Sequence, residues 1–147
     1  MTLVHATAIL VDDMGILIRG PSGCGKSDLA LRMIDGGAKL IADDQTDLVR
    51  AGDAVEARAP ASIAGLLEVR GLGIVKAPSA PVARLGLVVD LVAPDQMERL
   101  PGANYVELLG VRLRLLRLCA FEASTSAKLR LAVVCCKMDI IPALDRP

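Results

Sequence analysis

The chain has 147 residues, enough for one domain with a sizeable core, and its 53% hydrophobic content goes with only 1% aromatic residues. That core must be built from Val, Leu, Ile and Ala, and one Tyr with one Phe excludes a base-stacking nucleic-acid surface. Seventeen Lys and Arg balance seventeen Asp and Glu, so no net charge points to nucleic acid or to a membrane.

Met1 to Asp13 carries no basic segment ahead of its apolar residues, so no secretory signal is expected. No apolar run approaches the roughly 20 residues that span a bilayer. The four cysteines, Cys24, Cys119, Cys135 and Cys136, show neither zinc spacing nor a C-x-x-C pair and read as reduced thiols of a cytoplasmic protein.

Thr2 to Val11 predicts a strand, Asp12 to Gly15 a turn, and Gly15 to Arg19 a second strand. That strand runs directly into Gly20, Pro21, Ser22, Gly23, Cys24, Gly25, Lys26 and Ser27, a complete phosphate-binding P-loop. Backbone amides freed from side-chain bulk at the three glycines can converge on nucleotide phosphates. Lys26 adds a point charge at the β/γ-phosphates, and the Ser27 hydroxyl can hold Mg²⁺. Ser27 to Ile34 predicts a helix with Leu29, Ala30, Met33 and Ile34 on one face and Gly36-Gly37 as its stop. Its N-terminus is aimed at the anion. The P-loop strand is thus the second arm of a hairpin. Ras-like and nucleoside-kinase domains instead place the motif after the first strand of a parallel sheet.

Lys39 to Ala42, Asp47 to Ala51 and Ala54 to Ala59 predict three short strands in an antiparallel meander, and Pro60 to Leu66 a brief helical turn. Leu67 to Lys76 follows, then a loop punctuated by Pro78 and Pro81. Leu85 to Val92 is a continuous apolar run and predicts a buried strand. Tyr105 to Leu109 and Val111 to Leu118 predict a hairpin about Gly110. Ser124 to Asp139 predicts a closing helix, with Ile140 to Pro147 a frayed tail. The class is α/β with a mixed sheet.

A P-loop predicts nucleotide binding; chemistry further requires a carboxylate near the metal and a group that orients the nucleophile. Leu40-Ile41-Ala42-Asp43-Asp44 and Leu87-Val88-Val89-Asp90 compete for the first task, the second being closer to a generic Walker B run. Consecutive strand residues point to opposite faces, so Asp43 and Asp44 reach one phosphate only if the strand ends there. A guanine-nucleotide switch is excluded. Cys136-Lys137-Met138-Asp139 has Cys where the base-reading motif needs Asn, and the D-x-x-G at Asp12 to Gly15 precedes the P-loop. His5, the lone histidine, starts the strand whose hairpin partner ends in the P-loop, which brings it toward the phosphates.

His5-Ala6, the loop Gly20 to Ser27, Ala42-Asp43-Asp44 and above all Leu67-Glu68-Val69-Arg70-Gly71-Leu72-Gly73-Ile74-Val75 together resemble the HPr kinase/phosphorylase family. Glu98-Arg99-Leu100 and Tyr105 to Val111 extend the resemblance, which runs from about His5 to Val134. It implies a fold related to phosphoenolpyruvate carboxykinase and transfer of the ATP γ-phosphoryl group to a serine of HPr, the phosphocarrier of the sugar phosphotransferase system, or of a paralogue. It implies reverse phosphorolysis giving pyrophosphate, and hexameric assembly through the catalytic domain. By this resemblance Lys26 neutralises phosphate charge, and Ser27 and Glu68 hold Mg²⁺. Asp44 is the base with Asp43 its neighbour, His5 assists at the phosphate, Arg99 stabilises the transferring group, and Arg70 bridges protein substrate and phosphate.

The chain departs from the family in three ways. The family's usual N-terminal domain has no counterpart, so residues 1–147 are expected to form a single catalytic domain. The loop between Val75 and Leu85 is short. A Pro- and Arg-containing loop tied to dephosphorylation is replaced by Phe121-Glu122-Ala123-Ser124-Thr125-Ser126-Ala127-Lys128, so kinase activity is the first expectation. Two rival readings are a small-molecule P-loop kinase using Asp90 and a non-catalytic ATP-binding regulator that docks a phosphocarrier. Arg112, Arg114 and Arg117 alternate along what reads as an edge strand, a solvated face or a dock for an acidic partner.

Overall fold

A computed structural model describes residues 1–138; Asp139 and the expected tail 140–147 lie outside the described residues. The predicted first strand is two strands, β1 (Thr2–Val4) and β2 (Ala6–Val11), with the chain bending at His5. β2 pairs antiparallel with β3 (Met14–Arg19), from Val11 opposite Met14 to Ala6 opposite Arg19. The expected hairpin leading into the P-loop is therefore present. Helix α1 (Lys26–Asp35) buries Leu29, Ala30 and Met33, as its apolar spacing predicts. It ends in a Schellman motif, with Ala38 N–H on the Met33 carbonyl, Gly37 N–H on that of Ile34, and Gly37 at φ 107°.

The expected meander is not formed. β4 (Lys39–Ala42) pairs with β2, while β5 (Thr46–Ala51) pairs with β6 (Ala54–Arg58) and with β1. Burial gives the reason. Leu40 and Ile41 pack into different cores, so β4 needs cover on both faces and takes a place beside β2. The β5–β6 hairpin closes over the second core. After a 3₁₀ turn (Ala61–Ile63), the Leu67–Lys76 segment is itself a hairpin, β7 (Leu66–Val69) and β8 (Gly73–Lys76). β9 (Ala83–Leu91) is the predicted buried strand. β10 (Tyr105–Leu108) and β11 (Val111–Leu118) form the predicted hairpin, and α2 (Thr125–Met138) closes the fold. Leu109 at φ 49° and Gly110 at φ 79° supply the two left-handed residues that a tight two-residue hairpin turn requires.

Among the described residues the main sheet has nine strands, in the order β1-β5-β6-β9-β3-β2-β4, with β11 and then β10 joined at β9. β9 bridges two regions: Ala83 and Arg84 pair with β6, and Leu87 to Leu91 pair in parallel with β11. β11 thus lies between β9 and β10, and the arginines along it are not on an edge strand as the sequence suggested. The sheet curls and carries a core on each face. On β3, Ile16 and Ile18 face the core under α1 and α2, and Leu17 between them faces the other core with Val88, Leu48 and Leu113. This period-two division of side chains explains why both central strands read as unbroken apolar runs. Near its C-terminus α2 pairs Lys137 with Asp12 and Asp13 of the β2–β3 turn. The hydrogen bond from Lys137 holds the Asp13 carboxyl below its ordinary value.

Candidate active site

β3 delivers the chain to Gly20, and the loop to Gly25 wraps the N-terminus of α1. Gly25 has φ 104°, and a Cβ there would lie 2.8 Å from Ala120 Cβ and 2.9 Å from Phe121 Cζ. Only glycine meets both conditions. Lys26 is 5% exposed and donates to the carbonyls of Gly20 (2.7 Å) and Pro21 (3.1 Å). An ammonium has three hydrogens, so these bonds set the loop's shape and leave one donor for an anion. Asp28, in the first turn of α1, pairs with Arg32 at 3.0 Å.

The strand β4 ends at Ala42, which is the condition under which both following carboxylates can face one site. Gln45 N–H closes a three-residue turn onto the Asp43 carbonyl at 2.7 Å, with Asp44 at its centre at φ 65°. A non-glycine residue in this region is strained, and such strain persists only where surrounding bonds impose it. Those bonds are present. Asp43, 9% exposed, accepts from the Ser27 hydroxyl (2.7 Å), the Thr7 hydroxyl (3.3 Å) and the Glu68 N–H (3.1 Å). The same Thr7 oxygen accepts the Asp44 N–H at 3.1 Å. One fully buried hydroxyl therefore fixes both members of the pair. The Asp44 carboxylate projects outward, more than half exposed, and its Oδ1 meets His5 Nε2 at 2.6 Å.

These groups line a cleft of about 350 Å³ walled by the P-loop, Asp44, the Glu68–Arg70 end of the β7–β8 hairpin, Leu31 and Phe121. Ser27 gives its hydrogen to Asp43, which leaves the lone pairs of its oxygen for a cation, and the Glu68 carboxylate faces the same space. Among the described residues no three His, Cys, Asp or Glu side chains form a metal cage. Mg²⁺ requires none, since it is commonly held by one or two protein oxygens together with phosphates and water. The donor set present fits that ion.

Two sequence candidates are placed elsewhere. Asp90, the alternative Walker B carboxylate, is gripped by Arg19 through two bonds, Nε to Oδ1 at 2.7 Å and Nη2 to Oδ2 at 2.9 Å. Both of its oxygens are engaged, and it does not line the P-loop cleft, whereas Asp44 does and Asp43 bonds Ser27. Arg99 does not line the P-loop cleft. It borders a separate cavity of about 480 Å³ with Met97, Leu115, Arg117 and Lys128. Arg112 stacks over the Tyr105 ring at 3.6 Å, and Arg114 is half-buried. The three arginines therefore have three different environments and do not form one basic face. Cys24 is partly buried against the first core, a small residue filling space beneath the loop.

Sequence reasoning missed Thr7, Leu31 and Arg32. Thr7 reads as an ordinary strand former, and its one signal is its position two residues after His5.

Fold and cleft define a P-loop phosphate-binding domain on a curled mixed sheet. Residues 1–134 match the family model described as the HPr Serine kinase C-terminal domain, and the chain belongs to that family. It is 40% identical over 126 residues to the HPr kinase/phosphorylase of Cupriavidus metallidurans, a match covering 78% of this chain and 39% of that protein. To the HPr kinase/phosphorylase of Burkholderia lata it is 43% identical over 119 residues, covering 74% and 37%. The matched segment thus spans well under half the length of these relatives. The solved structure of the Hpr(Ser) kinase/phosphatase from Coxiella burnetii superposes with a TM-score of 0.85 at 24% identity, covering 95% of this chain and 93% of that one. The fold expected from the sequence is the fold observed. No helix among the described residues is long and apolar enough to cross a membrane.

Proposed function

We propose that the chain transfers the γ-phosphoryl group of Mg·ATP to a serine hydroxyl of an HPr-type phosphocarrier protein. The observation that carries this reading is the outward-facing carboxylate of Asp44, whose backbone N–H is held by Thr7 and whose Oδ1 meets His5, on the wall of the P-loop cleft. A buried, fully bonded carboxylate such as Asp43 serves position. An exposed carboxylate on a strained turn beside a phosphate site serves chemistry.

In the forward direction Asp44 takes the proton of the serine hydroxyl as its oxygen attacks the γ-phosphorus. The bond from phosphorus to the β–γ bridging oxygen breaks, and ADP leaves. His5 holds Oδ1 of Asp44, so Oδ2 faces the serine. Lys26 offers its remaining hydrogen to a phosphate oxygen, and the P-loop amides orient the chain of phosphates. Ser27 and Glu68 would hold Mg²⁺, which would supply neutralisation of phosphate charge. Arg70, at the tip of the β7–β8 hairpin, meets the protein substrate where it enters the cleft. Such a reaction needs little covalent help, and most of its acceleration comes from positioning and fixed charge. The forward direction is the one proposed, because Phe121 to Lys128 stand where the family has the Pro- and Arg-containing loop tied to the reverse reaction.

The test is to incubate the chain with Mg·ATP and an HPr-type phosphocarrier and read intact mass and the modified residue by mass spectrometry. One phosphate on serine is the expected result. ATP binding without transfer would replace the kinase with an occupancy-sensing regulator.

A further inference from the structure

The chain has a single Phe, and the structure leaves it 69% exposed. Phe121 sits in the loop between β11 and α2, on the wall of the P-loop cleft, with Leu31 of α1 beside it. Leu31 lies one helical turn beyond Ser27, so an apolar wall stands beside the phosphate-binding loop.

The loop that carries the ring is tied down on both sides. The Arg32 guanidinium donates to the carbonyls of Ala120 and Glu122, the two residues flanking Phe121. Thr125 Oγ1 donates to the Cys119 carbonyl, and Lys128 pairs with Glu122 at 2.8 Å. Behind the clamp, Arg130 of α2 donates to the Arg32 carbonyl at 2.9 Å, joining the two helices. An aromatic ring that packed only for stability would turn inward. This one is held outward, with its edge against Gly25 and its side to the cleft.

We infer that Phe121, with Leu31, is the stacking platform for the purine base of the nucleotide whose phosphates the P-loop holds. The inference rests on the reading of the cleft as a nucleotide site and adds the part of that site that recognises the base. Phosphates anchored at Lys26 and Ser27 leave the base within the same cleft, where this pair offers an apolar flat surface. Stacking reads the face of a base and needs no hydrogen bond to its edge.

The experiment compares Mg·ATP with Mg·tripolyphosphate, which has the phosphates and no base, by titration calorimetry on the wild-type chain, Phe121→Ala and Phe121→Trp. Phe121→Ala is expected to weaken ATP binding about tenfold or more while leaving tripolyphosphate affinity unchanged. Phe121→Trp, the sole Trp in its variant, is expected to retain ATP binding and to lose fluorescence with ATP but not with tripolyphosphate. Equal weakening of both ligands, or no weakening of ATP, would overturn the platform. So would a loss confined to the KM of the phosphocarrier. A wild-type chain that binds ATP and phosphorylates no serine would sink the kinase proposal and leave this binding comparison intact.

Discussion

In the P-loop cleft, groups from α1, β2 and β7 converge on the Asp43 carboxylate at the end of β4, and each contact is a hydrogen bond of stated direction. The cavity around Arg99 is the larger of the two, about 480 Å³ against about 350 Å³, and its walls mix Leu115, Leu116 and Leu118 with Glu98, Arg99, Arg117 and Lys128. Volume alone does not distinguish the two. What separates them is preorganisation: a buried carboxylate satisfied from three sides fixes its neighbour, Asp44, in a strained turn aimed at the space where charge is to be moved.

That contrast can be broken at graded points. The largest effect is expected from Lys26→Ala, which removes both the loop's internal tie and the cleft's buried cation. Serine phosphorylation should fall by roughly 10³-fold or more in a single-turnover assay. Next comes Asp44→Asn, for which the transfer rate should drop by roughly 10²–10⁴-fold while calorimetric ATP affinity stays at the wild-type value. A normal rate in that variant would remove Asp44 from the chemistry. Thr7→Val keeps the shape and deletes the hydroxyl that serves both aspartates. It should lower unfolding stability by about 1–3 kcal/mol in a denaturant titration and slow transfer about tenfold with ATP affinity intact. The smallest effect is expected from Arg99→Ala, with ATP affinity changed by less than about twofold. A large loss there would mean that the two cavities act as one.

How far the sequence carried each element depends on how local its cause is. The P-loop, its helix and the β2–β3 hairpin that leads into it are written in adjacent residues: three glycines, an apolar face, a double-glycine stop. The β10–β11 hairpin was legible for the same reason. The path of β4 was not, because Leu40 and Ile41 look alike in sequence and only the finished molecule gives each its own core. Asp90 made the more persuasive Walker B run, and the group that occupies it, Arg19, is 71 residues away. Of the predicted site residues, the P-loop, Asp44, Glu68 and Arg70 line one cleft, with Asp43 beneath it and His5 on Asp44. Arg99 does not join them, since nothing in Glu98-Arg99-Leu100 itself says which cavity its loop will border.

A Cβ on Gly25 would fall 2.9 Å from Phe121 Cζ, although the two residues are 96 positions apart in the chain. The loop before α1 and the loop before α2 therefore share one small free volume. Any side chain added at position 25 would have to displace the ring, and any larger ring at 121 can grow only away from the glycine, into the cleft. One glycine thus sets the shape of a wall that belongs to the opposite loop, and a substitution at position 25 would act on the cleft through the ring.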